Sequence, residues 1–150
     1  MPTPFESAVL NLELFKLRRE PVLREAREWF VRDFNPQSFD ELVAIVGGER
    51  NASVRMVLGY WDMAASLVTT GAVDAKAFLA AHGEIFATFS KIRPFLTQIR
   101  QVTGEPDYCQ HLEAVVMGAP NAEAILERRR AAARAVSSSR PVAGSPDSSE

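Results

Sequence analysis

The sequence predicts an all-α fold: one helical bundle of six to eight helices over residues 1–135, followed by a disordered tail over residues 136–150. Three observations carry this. Apolar residues recur at three- and four-residue spacing almost throughout, while the strict alternation of a half-buried strand is hard to find. Residues that cap or stop helices punctuate the chain between those periodic stretches. From Val136 onward Ser, Pro, Gly and charge replace large apolar residues, a composition that buries too little surface to offset ordering entropy.

Thr3 and Pro4 read as the N-cap and first residue of helix one, with Leu10, Leu14 and Leu17 on its inward face and Phe5 and Phe15 widening that face. Pro21 breaks the chain and opens helix two, whose Val22, Leu23, Ala26, Trp29, Phe30 and Phe34 gather on one side. Its other side carries Glu20, Arg24, Glu28 and Arg32 at intervals of four, a solvated stripe of alternating charge. Ser38 and Glu41 form a capping box for a short helix from Phe39 to Val46, stopped by Gly47 and Gly48. Leu42 to Val46 also suits a buried strand, but the cap and the stop favour helix.

Helix four, from about Glu49 to Thr70, is apolar around nearly its whole circumference and is expected at the centre of the bundle. Gly71 stops it and Asp74 caps helix five. The apolar run of helix five continues past Gly83, and Pro94 interrupts it before Gly104. Pro106 then opens a helix ending near Gly118, and Asn121 caps a last helix whose apolar stripe fades after Leu126.

The 150 residues carry 17 Lys+Arg against 19 Asp+Glu and are 47% hydrophobic, the profile of a soluble globular chain able to bury a core without disulfide or metal. Residues 121–150 hold 5 of the basic and 4 of the acidic residues, so residues 1–120 hold 12 and 15 and carry a net charge of minus 3. That balance argues against a nucleic-acid partner. The longest uncharged apolar stretch, Met63 to Val73, is far shorter than a bilayer span. With no export signal read at the N-terminus and one cysteine, a cytoplasmic location without membrane attachment is expected.

Motifs of known chemistry are incomplete. His82, Gly83, Glu84 and His111, Leu112, Glu113 resemble half of a zinc deaminase site, but the second ligand pair is missing and Cys109 stands alone. Glu-x-x-His pairs of a di-iron bundle are absent, and Gly47 and Gly48 lack phosphate-loop spacing. Both histidines read as surface or helix-end residues, and Cys109 as packing. No catalytic residue, metal site or cofactor is assigned.

The polar residues of helix four are the anomaly. Arg55 and Asp62 lie two turns apart on one face and are expected either to pair as an ion bridge that fixes helix register or to line a polar pocket with Tyr60, Glu84 and Arg93. Arg128, Arg129, Arg130 and Arg134 form a dense basic patch that could contact phosphate, although a helix C-terminus favours cations anyway. Phe5, Phe15 and Trp29 are candidates for an exposed apolar patch.

Val57 through Leu67, Gly71 to Asp74, Phe78, Lys91 through Leu96 with Arg100, and Gly104 to Pro106 follow in an order that resembles a bacterial helical family, the domain of unknown function 4760. The resemblance covers about residues 50–116. It implies an all-helical bacterial domain and transfers no catalytic residue. It also implies an N-terminal membrane span in many members, a pattern from which this sequence departs. The expected function is that of a non-enzymatic protein-interaction or self-assembly module; the alternative is a small-ligand-binding or enzymatic bundle with a pocket around Arg55 and Asp62.

Overall fold

A computed structural model describes residues 1–139. Those residues form α1 (Pro4–Arg18), α2 (Pro21–Arg32), α3 (Phe39–Val46), α4 (Asn51–Thr69), α5 (Ala75–Ala81), α6 (Glu84–Ile92), a 3-10 turn (Arg93–Phe95), α7 (Leu96–Thr103), α8 (Gln110–Met117) and α9 (Ala122–Ser139), with no strand among the described residues. Helix α4 packs against α2, α3 and α8, while α6 packs against α9 and α8. Trp61, Phe30, Phe34, Phe78, Phe89 and Leu126 are fully enclosed between them.

The local signals explain most boundaries. Thr3 accepts from the Glu6 amide and Glu6 reaches back to the Thr3 amide, closing a capping box on α1. Glu20 accepts from the Val22 and Leu23 amides where Pro21 starts α2. Ser38 caps α3 from one side only, because the Glu41 carboxylate takes the Gln37 amide instead of the Ser38 amide. Asp74 caps α5 through the Ala77 amide. The run expected from Asp74 to Gly104 is divided into α5, α6, the 3-10 turn and α7 by Gly83 and Pro94.

Four expectations need correction. The first is that α1 buries a leucine face. The residues enclosed at the i, i+4, i+7 positions are Ser7, Asn11 and Leu14, while Leu10 is half-buried and Leu17 is exposed. The surface on which α1 lands is polar, and Ser7 and Asn11 satisfy it. The second is that α4 is buried all round: Arg55, Gly59 and Met63 are exposed and Asp62 is half-buried. The third is that Pro106 opens a helix; α8 begins at Gln110, since Cys109 is left-handed at φ 56 and cannot continue a right-handed turn. The fourth is the start of the tail: residues 136–139 are helical within α9, and residues 140–150 lie outside the described residues.

One buried cation joins two helices. The Lys91 ammonium on α6 donates to the carbonyls of Phe30, at 2.8 Å, and Val31, at 2.6 Å, covering acceptors that the C-terminal turn of α2 cannot use.

Candidate functional site

Two surfaces combine exposure with unusual chemistry. One is the exposed face of α4 beside the 104–109 loop. Arg55, Gly59 and Asp62 follow at helical spacing and line an open cleft of about 550 Å³ with Glu105, Asp107 and Tyr108. Arg55 and Asp62 do not pair. The Asp62 carboxylate points across to α8, where Oδ1 accepts from the amides of His111, at 3.1 Å, and Leu112, at 2.9 Å. It serves as a remote N-cap, placing negative charge at the positive end of that helix. Among the described residues, Arg55 makes no ion pair or hydrogen bond.

The other residues expected beside Arg55 and Asp62 are held elsewhere. Tyr60 turns inward and donates to the Leu14 carbonyl at 2.6 Å, and burial pushes its hydroxyl up to about 12. Glu84 forms a forked pair with Arg27, at 2.9 and 2.6 Å, and Arg27 also donates to the Arg18 carbonyl, so one cluster ties α1, α2 and α6. Arg93 pairs with Glu123 of α9. These charges are spent on helix packing, and the cleft keeps only Arg55 and Asp62 of the five.

The second surface is α1. Its outward face presents Phe5, 76% exposed, and Leu12, 62% exposed, with Val9 and Phe15 between and beside them. Its inward face is held largely by polar bonds. Ser7 Oγ accepts from the Asp74 amide, Asn11 Oδ1 meets His82 Nε2 at 3.0 Å, and the carbonyls of Leu14 and Arg18 accept from Tyr60 and Arg27. His82 ends α5 as expected of a helix-end residue but is 1% exposed, not at the surface, because Asn11 and the Trp61 and Phe78 rings cover it. Burial, with the Arg18 charge nearby, lowers it to about 4. Trp29 does not join this surface. It is half-buried, edge-on to Phe30 at 6.3 Å, with the Arg50 guanidinium 4.9 Å over its ring.

The remaining candidates are simpler. Arg130 and Arg134 share Glu127, which offsets part of the basic patch, while Arg128 and Arg129 are exposed on α9. Cys109 is enclosed, and burial pushes its thiol up to about 12, so it stays protonated at neutral pH. His111 stands at the start of α8 with Nδ1 2.7 Å from the Thr69 hydroxyl. Among the described residues no group of three His, Cys, Asp or Glu is placed to hold a metal, and no helix is long and apolar enough to cross a membrane.

Sequence reasoning missed Gly59, Tyr108, Asn11 and His82 as partners in these surfaces. A signal was present for two of them: a glycine inside the most apolar helix, and a Ser7, Asn11 pair at i, i+4 on one face of α1.

Residues 5–118 match the family model described as a domain of unknown function, DUF4760. The chain belongs to this family. The match carries the likeness seen over residues 50–116 back to α1, so the helix with the outward apolar face is part of the DUF4760 domain, whereas α9 lies beyond it. Among curated proteins and among solved structures nothing matches the chain.

Proposed function

We propose that this DUF4760 domain is a non-enzymatic self-assembly module that pairs with a second copy through α1. The observation that carries the reading is the inverted helix: α1 turns Ser7 and Asn11 inward and leaves Phe5, Val9, Leu12 and Phe15 in solvent. Exposed apolar side chains gathered on one helix face mark an interaction surface more often than scattered ones do.

The spacing favours a copy of itself. Phe5, Ala8, Leu12 and Phe15 stand at alternating intervals of three and four, the seam of a paired helix. In an antiparallel pair whose two-fold axis crosses the seam between Ala8 and Leu12, Phe5 meets Phe15 of the second copy and Ala8 meets its Leu12. Large faces large at the ends, and small faces large at the centre. The antiparallel arrangement also opposes the two helix dipoles. A strip about 15 Å long, from Phe5 to Phe15, is small for a permanent interface, so the dimer is weak and concentration-dependent.

Light scattering across a concentration series tests this. The wild type should move from monomer toward dimer, and Leu12→Glu should remain monomeric with an unchanged melting temperature, since Leu12 touches solvent in the monomer. A strict monomer at high concentration, or a Leu12→Glu variant that still dimerises, would overturn it.

A further inference from the structure

Gly59 stands in the interior of α4, where glycine weakens a helix relative to alanine. Neither usual reason for glycine applies. The backbone there is ordinary right-handed helix, and beyond the local turn of its own helix a Cβ added at Gly59 would meet no atom within 4 Å. The missing side chain therefore serves no packing in the monomer; it keeps open the floor of the cleft of about 550 Å³.

That cleft does not end at Arg55. Arg55, Leu58 and Tyr108 form a common edge with an apolar groove of about 380 Å³ between α3, α4 and α7, whose walls include Leu42, Val46, Val54, Ile92 and Ile99. The groove volume falls in the range of small-molecule sites, and an apolar lining with a few polar groups at one end is their usual construction. The Tyr108 hydroxyl stands at the junction as a neutral phenol, and burial raises it further above its ordinary range.

The charges follow an order along this trough. Arg55 comes first after the apolar groove. Among the described residues it is the one arginine before α9 with neither a hydrogen bond, an ion pair nor a ring beneath it; Arg18 and Arg19, which lack carboxylate partners, lie over Phe15. Asp62, Glu105 and Asp107 line the polar cleft and not the apolar groove, so the three carboxylates belong to the side of Arg55 away from the groove. Only Oδ1 of Asp62 is engaged by the α8 amides.

We propose that this trough binds a single-chain zwitterionic amphiphile. Its alkyl chain lies in the α3–α4–α7 groove, its anionic group sits on Arg55, and its cationic group lies over Gly59, facing Asp62, Glu105 and Asp107. The charge order selects this class. A purely anionic amphiphile places no cation against the three carboxylates, and a purely cationic one leaves Arg55 without a counter-charge next to its own positive head.

The test uses three twelve-carbon probes below their micelle-forming concentrations, followed by titration calorimetry on the full chain: dodecylphosphocholine, dodecanoate and dodecyltrimethylammonium. Dodecylphosphocholine should bind saturably with one site per chain, and the other two should bind at least roughly tenfold more weakly. Arg55→Gln, an exposed substitution, should weaken dodecylphosphocholine roughly tenfold or more through the lost charge-assisted bond. Gly59→Leu should abolish binding by filling the floor, with a thermal melt at or above wild type showing that the fold persists. Leu12→Glu should bind like wild type, which separates this site from α1 self-association. Absence of saturable binding, equal affinity for the three head groups, or an unchanged affinity in Arg55→Gln would each overturn the proposal.

Discussion

Lowering the pH from about 6.5 toward 4 should destabilise the protein through His82. Its Nε2 donates to Asn11 Oδ1 on α1, while Nδ1 is enclosed and has no hydrogen-bond partner among the described residues. Protonating the ring would create a second N–H beside the Trp61 and Phe78 rings, where no acceptor waits, next to the positive charge of Arg18. Burial therefore holds the folded-state pKa down at about 4, against about 6.5 in an unfolded chain. Between these values the unfolded chain takes up a proton that the folded chain refuses, so stability is complete above about pH 6.5 and falls as the pH drops toward 4. The full step amounts to about 3 kcal/mol, a large share of the 5–15 kcal/mol that holds a typical domain together. Urea denaturation of the wild type and of His82→Gln at a series of pH values measures it, because carboxylate titrations common to both proteins cancel in the difference. The wild-type advantage over His82→Gln should shrink by about 3 kcal/mol between pH 7 and pH 4. A difference that stays constant across that range would refute the assignment of the buried, neutral ring.

Three further outcomes follow from the same contacts. Gly59→Ala should raise stability by about 1 kcal/mol, or about 2–4 °C in melting temperature, because the added Cβ meets nothing and helix propensity improves; a lower melting temperature would show that Gly59 is packed. Asp62→Ala should cost about 1 kcal/mol by removing the acceptor for the His111 and Leu112 amides, while Arg55→Met should leave the thermal melt within about 0.5 kcal/mol of wild type. Equal losses in the two variants would restore an ion pair between them. Lys91→Met should cost about 2 kcal/mol in chemical denaturation through the Phe30 and Val31 carbonyls it strands, and a neutral result would show those acceptors to be satisfied otherwise.

The elements were legible where the signal is local. Thr3 with Glu6, Pro21, Ser38 and Asp74 each act within one turn of chain, and each starts a helix where the sequence places it. The orientation of α1 was not legible, because apolar spacing shows which residues share a face and not which surface that face will meet. Ser7 and Asn11 turn inward only because the Asp74 amide and the His82 ring, more than 60 residues on, await them. Arg55 and Asp62 were readable as one face of one helix, but Asp62 found its partners about 50 residues away on α8. Glu84, 57 residues from Arg27, shows the same limit. Arg55 and Asp62 line one cleft because helical spacing sets them on one face of α4, whereas Glu105 and Asp107 come to it from a loop that carries no periodic signal.

The most direct test of the α1 pairing is disulfide cross-linking between copies. Ala8→Cys and Leu12→Cys, each made singly, place thiols on exposed positions of α1, and the native Cys109 is enclosed and does not compete. The antiparallel register brings residue 8 of one copy against residue 12 of the other. Under mild oxidation a mixture of the two variants should form covalent dimers composed of one chain of each, faster than either variant alone. A mixture that stays monomeric, or that links each variant to itself as readily as to the other, would contradict the account.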